Sequence, residues 1–149
     1  MSTFANTTFK VESWDEQPLH EEKGATKLTR VSAVVSYRGD LEGQGRVEYL
    51  MSYRADGSAT FLGMERVSGG LAGYQGSFVL QHVGSFEEGT AKSTFSVIPG
   101  SGSGKLEKLR GHGEYASTGC DETPVTFQYD IEGVEEGRET VVAAAVAVE

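Results

Sequence analysis

The sequence predicts an all-β protein of about eight antiparallel strands, arranged as a barrel or a sandwich. Three observations predict it. Apolar and polar residues alternate with period two along most of the chain, and helical spacing is nearly absent. Turn signals recur between the alternating runs. Gly is abundant at 20 while Pro is only 3, which suits turns and strands rather than Pro-rich disorder.

The elements follow in order. Phe9, Val11 and Ser13 alternate with polar neighbours and open the first strand. Asp15–Gly24 is polar and acidic, contains Pro18, and reads as a loop. Val31, Ala33, Val35 and Tyr37 form a second strand, and Val47, Tyr49, Met51 and Tyr53 a third. Thr60–Val67, Ser77–Val83, Ala91–Ile98, Gly111–Ala116 and Pro124–Ile131 complete the set. Asp56-Gly57 is the strongest hairpin signal, because a type I′ turn needs positive φ. Gly69-Gly70 with Gly73, and Glu87-Glu88-Gly89, mark the next two reversals. Gly100–Gly104, alternating with serine after Pro99, reads as a flexible loop. The sequence divides into a β domain over 1–132 and a tail over 133–149, rich in Ala and Val, that has no assignment.

The turns sort the side chains into faces, since directly opposite residues share a face. A two-residue Asp56-Gly57 loop sets Ser52 opposite Phe61, Leu50 opposite Gly63 and Glu48 opposite Glu65. The following turns then set Glu65 opposite Phe78, Phe61 opposite His82 and Leu80 opposite Phe95. One face collects Leu50, Phe61, Phe78, Leu80, Phe95 and Val97 with the ionisable groups Glu48, Glu65 and His82. This face is expected inside. The other carries Tyr49, Met51, Tyr53, Leu62, Met64, Arg66 and Gln81. It is apolar for a solvated surface, so a homo-oligomer that buries it is expected. A register slip by one residue flips every later side chain. Arg66 and Gln81 would then enter the lumen, with Arg66 a natural anchor for a carboxylate.

Glu48, Glu65 and His82 are the candidate catalytic residues. Two carboxylates across a sheet repel each other, and a neighbouring imidazole offsets this, which is how a barrel would do acid/base work. A structural network tying strands together is the alternative. Leu50, Phe61, Phe78, Leu80 and Phe95, with Arg66 and Gln81, are the candidate ligand contacts. Trp14 reads as core or barrel-mouth packing.

Other classes are disfavoured. The 149 residues suggest one domain, and 38% apolar content is enough for a core. A net charge of −9 repels a phosphate backbone, so no nucleic-acid partner is expected. One Cys excludes a disulfide framework or CxxC site, and Cys120 beside Asp121 and Glu122 is not an activated nucleophile. His20, His82 and His112 lack metal-ligand spacing, so no metal and no cofactor are expected. Gly100–Lys105 fails as a phosphate loop because Pro99 precedes it and Leu106 replaces the required Ser/Thr. Asn6-Thr-Thr8 matches a glycosylation sequon, which carries no meaning without a secretory signal. The N-terminus has no basic start and no apolar core of a signal peptide, and no run of about 18 apolar residues occurs. A cytoplasmic protein without a membrane partner is the expectation.

The strings Val47-Glu-Tyr-Leu-Met51, Tyr53 to Asp56-Gly57, Gly63-Met-Glu-Arg66, Gly76-Ser-Phe-Val-Leu-Gln-His82 and Val97-Ile-Pro-Gly-Ser-Gly102 resemble a bacterial family known only as a domain of unknown function. The resemblance covers roughly Phe9 to Ile131. It implies a single antiparallel eight-stranded barrel of the allene oxide cyclase type. Allene oxide cyclase closes a ring in an unstable fatty-acid epoxide inside a mostly apolar barrel. Its catalytic residues have no match here, so the resemblance implies a fold and not an activity. The leading expectation is a barrel that binds a small apolar or amphipathic molecule. A cyclase or isomerase working by acid/base chemistry comes second, and a filled structural or interaction barrel third. A pocket without a reachable ionisable group favours the first, a pocket with a carboxylate next to His82 the second, and a closed core the third.

Overall fold

The computed structural model describes residues 2–21, 26–119 and 122–131. Cys120, Asp121, the 133–149 tail and the side chain of His20 lie outside the described residues. The strands are β1 (Thr3–Glu21), β2 (Lys27–Gly39), β3 (Leu41–Tyr53), β4 (Ala59–Leu71), β5 (Tyr74–Glu87), β6 (Thr90–Val97), β7 (Ser103–Gly104), β8 (Leu109–Ser117) and β9 (Thr123–Ile131). Eight of them close an antiparallel barrel in the order β1-β2-β3-β4-β5-β6-β8-β9, with β9 pairing back onto β1. The two-residue β7 pairs with the start of β5. Among the described residues no helix is long and apolar enough to cross a membrane.

The expected loop at Asp15–Gly24 is instead strand as far as Glu21. β1 pairs with β2 from Thr7↔Gly39 to Glu21↔Lys27, with irregularities between Val11 and Ser13 and between Pro18 and His20. The first irregularity inserts Glu12, so the inward set passes from odd to even residues: Phe9 and Val11, then Trp14 and Glu16. That change of phase hides the strand from a period-two reading. Pro18, beside the second irregularity, sits where a sheet tolerates a missing donor.

The β3–β4 turn also differs from expectation. Arg54 and Ser58 close a three-residue loop, with Arg54 N–H donating to Ser58 O at 2.7 Å and Gly57 N–H donating to Arg54 O at 2.9 Å. Gly57 takes φ +90°, as a three-residue loop with a left-handed third residue requires. Tyr53 therefore faces Ala59, Met51 faces Phe61 and Val47 faces Glu65. The extra loop residue turns all of β3 over. Tyr49, Met51 and Tyr53 point into the barrel, while Glu48 and Leu50 point out.

The next two turns preserve the expected faces. Ala72-Gly73 and Glu88-Gly89 are two-residue loops with positive φ at both positions. They pair Gly63 with His82 and His82 with Phe95, a shift of two from the expected register. Phe78, Leu80, His82, Phe95 and Val97 consequently remain inward and buried.

Packing differs between the two ends. Around Leu41, Leu71 and Leu109 the lumen is filled, with the Phe127 ring in contact with both Phe78 and Phe95. The Gly100–Gly104 segment, expected as a flexible loop, is tied to β5. Val79 N–H donates to Ser101 Oγ at 3.0 Å, Ser77 N–H donates to Ser103 Oγ at 3.2 Å, and fully buried Leu106 enters the core. The opposite end holds a smaller cluster around Val31, Ala33, Val47, Met51 and Phe61.

Ala72 sits at φ +51°, where a Cβ is strained. Its N–H still donates to Asp40 O at 2.8 Å, a bond that glycine keeps. Ala72→Gly is expected to raise stability by about 1 kcal/mol. Urea denaturation measures this, and an unchanged or lower midpoint contradicts it.

Candidate functional site

The less filled end of the barrel contains a half-open cavity of about 460 Å³. Trp14, Tyr49, Tyr53, Phe61, Phe86 and Tyr115 supply much of its wall, with Val35, Val47 and Met51. Small residues such as Ala33 and Ala91 leave the space that larger side chains fill at the other end. Among the described residues no Asp, Glu, Lys, Arg or His lines it. The polar atoms on offer are chiefly hydroxyls.

Tyr49 and Tyr115 both line the cavity, near enough for each hydroxyl to influence the other. Gly63 makes the position of Tyr49 possible, since a Cβ there would strike the tyrosine ring at 2.5 Å. Both tyrosine rings meet the His82 ring edge-on, at centroid distances of 5.8 and 6.3 Å. His82 and Glu65 do not line the cavity, so the tyrosines stand between it and them.

Glu65 is 2% exposed and His82 3%. His82 Nε2 lies 2.7 Å from Glu65 Oε1, and the Tyr37 hydroxyl donates to Glu65 Oε2 at 2.5 Å. A Cβ on Gly45 would overlap that carboxylate, so the glycine creates its niche. A buried carboxylate costs several kcal/mol unless paired and hydrogen-bonded, and both oxygens here have a partner. His82 Nδ1 is buried and meets no partner among the described residues.

A second polar group lies at the mouth. Glu16 accepts hydrogen bonds from Tyr53 Oη at 2.6 Å, Thr29 Oγ1 at 2.7 Å and Trp14 Nε1 at 3.1 Å. Partial burial pushes its carboxyl up. The three donors and the nearby Lys27 charge outweigh this and leave it below the usual range. Trp14, 49% exposed, is thus a mouth residue, one of the two roles expected of it.

Only part of the expected site assembles. Glu65 and His82 come together inside as expected, but Glu48 does not join them. It lies on the outer surface, 3.0 Å from Arg30 and bonded to Ser32 Oγ at 2.9 Å. The Ser32 hydroxyl foremost, and Arg30 against slight desolvation, lower its carboxyl. Leu50 is also outside, 42% exposed. Both corrections follow from the longer β3–β4 loop. Arg66 and Gln81 lie on the outer face as well: the slip flipped β3, not their own strands. Arg66 Nη2 donates to Ser77 Oγ at 3.3 Å, and Gln81 borders a shallow outer groove with His112 and Phe4. Phe78, Leu80 and Phe95 are inside but belong to the packed end, which leaves Phe61 as the one expected contact that lines the cavity.

Sequence reasoning missed Tyr37, Tyr49, Tyr53, Tyr115 and Glu16. Tyr37 had a signal, since it ends the inward series Val31, Ala33, Val35. Among the described residues no group of three or more His, Cys, Asp or Glu could hold a metal ion.

Desolvation, joined by the Glu65 carboxylate, pushes Tyr37 and Tyr49 well above the ordinary tyrosine range. Desolvation raises Tyr115 too, and burial with the Glu16 contact raises Tyr53 to about 12. All four bind a proton more tightly folded than unfolded. Their stabilisation is therefore complete below about pH 10 and lost as pH climbs through the folded values. Each adds a slope of up to about 1.4 kcal/mol per pH unit above that point. Urea midpoints from pH 9 to 12, with tyrosinate absorbance, are expected to fall steeply, and Tyr49→Phe to flatten the fall. Tyrosinate absorbance that rises fully before unfolding contradicts the arrangement.

A family model described as a protein of unknown function, DUF3224, matches residues 5–129. The chain belongs to that family, as its sequence strings suggested. A crystal structure of a DUF3224 protein of unknown function from the bacterium Shewanella oneidensis MR-1 is 29% identical to it, with a TM-score of 0.72. The match covers 89% of this chain and 99% of that one. No curated protein matches.

Proposed function

We propose that this DUF3224 barrel holds one small apolar or amphipathic molecule in its open end. The carrying observation is the apolar cavity, whose volume of about 460 Å³ suits a small ligand. A filled structural barrel would leave no such space. A cyclase or isomerase using Glu65 and His82 would need them within reach of a substrate, and Tyr49 and Tyr115 stand in the way. Burial of an apolar body would supply the affinity, and the tyrosine hydroxyls would orient a polar end.

Trp14 is the only tryptophan and lines the cavity, so its emission reports occupancy. The neutral apolar dye N-phenylnaphthylamine is expected to bind saturably and quench it. Ala33→Phe should weaken binding roughly tenfold, the scale of excluding a few buried methylenes, while unfolding stays cooperative. Absence of saturable binding refutes the reading. Native mass spectrometry of protein from its own host then identifies any co-purified molecule.

The reading includes self-association, on a surface that keeps Leu62 and Met64 of the face expected but not its β3 residues. Tyr49, Met51 and Tyr53 are inward, but Leu50, Leu62 and Val83 sit side by side across β3, β4 and β5 on the outer face, with Met64 adjoining. A second copy covering this row would remove apolar area from water. Light scattering is expected to give more than the monomer mass, and Leu62→Asp to restore the monomer. A monomer at high concentration rules the contact out.

A further inference from the structure

The described lining carries no charge, but its surroundings do. Glu16 at the mouth is held by three neutral donors, the two hydroxyls of Thr29 and Tyr53 and the Trp14 indole N–H, so hydrogen bonding leaves its negative charge in place. A second carboxyl, Glu65, lies behind the Tyr49–Tyr115 floor beside His82. Among the described residues the basic groups of the turns at this rim, Arg54 and Lys27, are already engaged. Arg54 lies 4.0 Å from Glu87 and bonds Ser58 and Thr60. Lys27 holds its ammonium 4.9 Å from the centre of the Tyr53 ring. Asp56 and Glu88, in the turns that border this end, add further negative charge, and the whole chain carries −9.

The aromatic wall has the matching property. Ring faces attract cations, and Lys27 on Tyr53 shows an ammonium accepted at this rim. Trp14, half exposed and 6.1 Å from Tyr49, offers a second ring next to Glu16. We infer that the cavity takes an amphiphile with an amine or other cationic head, the apolar body in the lumen and the head between Trp14, Tyr53 and Glu16. This rests on the cavity reading above and adds the class of ligand. An anionic head, such as a fatty-acid carboxylate, would meet Glu16 at the mouth.

The test is calorimetric titration of the full chain at pH 7 with decylamine, decanol and decanoate, which share one apolar body. Decylamine is expected to bind about tenfold tighter than decanol, and decanoate weakest, the scale of one charge pair at a partly wet rim. Glu16→Gln keeps an acceptor for Tyr53 and Thr29. It should bring decylamine down to decanol and leave decanol unchanged. Lys27→Gln should strengthen decylamine. Equal binding of all three probes, or tighter decanoate that Lys27→Gln weakens, overturns the head-group selection while leaving the cavity occupied. Binding by none of them overturns the cavity reading and this inference together.

Discussion

Half of the side chains of a closed sheet must enter its lumen, and eight strands enclose room for side chains or one small ligand, not both throughout. The sum of inward volumes along the axis therefore decides where space remains. At the Leu71 and Leu106 end the inward residues are large, and rings and leucines fill the cross-section. Glycines on the inward face, Gly45, Gly63, Gly84 and Gly113, do not empty it. Each is occupied by a neighbour: a Cβ there would meet Glu65, Tyr49, Phe61 or Phe95 respectively. Space opens only where alanine and serine face inward without a ring to cover them, and that is the cavity.

The same constraint explains how a carboxylate lies in the middle of a barrel. Tyr37, Gly45, Glu65 and His82 come from β2, β3, β4 and β5, four consecutive strands. Removing one member of a buried pair costs about 3–5 kcal/mol because it strands the other. Such a network penalises strand slips that packing alone would tolerate, since a slip of one residue would carry Glu65 to the surface and of two would part it from His82. One cost remains, because an unmatched polar atom such as Nδ1 of His82 costs about 1–3 kcal/mol. The position behind a tyrosine floor suits a structural clamp better than a reacting group.

How much of this was legible depended on local regularity. The inward faces of β4, β5 and β6 were legible because their joining turns err only in twos, which leaves side-chain direction intact. β3 was not. Asp-Gly is compatible with a two-residue and a three-residue loop, and the choice turns on whether Ala55 joins the loop or the strand. That single residue moved Glu48 and Leu50 out and Tyr49, Met51 and Tyr53 in. The second half of β1 was lost for a related reason: its inserted Glu12 breaks the alternation, so Glu16 fell in what read as an acidic loop. The site was less legible than the fold because both irregular segments contribute to it.

These two failures have one physical origin. Bulges and wide turns bend and twist a sheet locally, and they collect at barrel rims, where strands must curve to close. A rim is also where a ligand enters. The residues that sequence periodicity misplaced, Tyr49, Tyr53 and Glu16, are accordingly among those that shape the cavity and its mouth. Of the residues it placed correctly, Phe78, Leu80 and Phe95 belong to the regular, filled half, and Phe61 lines the cavity. In this barrel the departures from strict alternation mark the end that contains the cavity, while strict alternation marks the end that is filled.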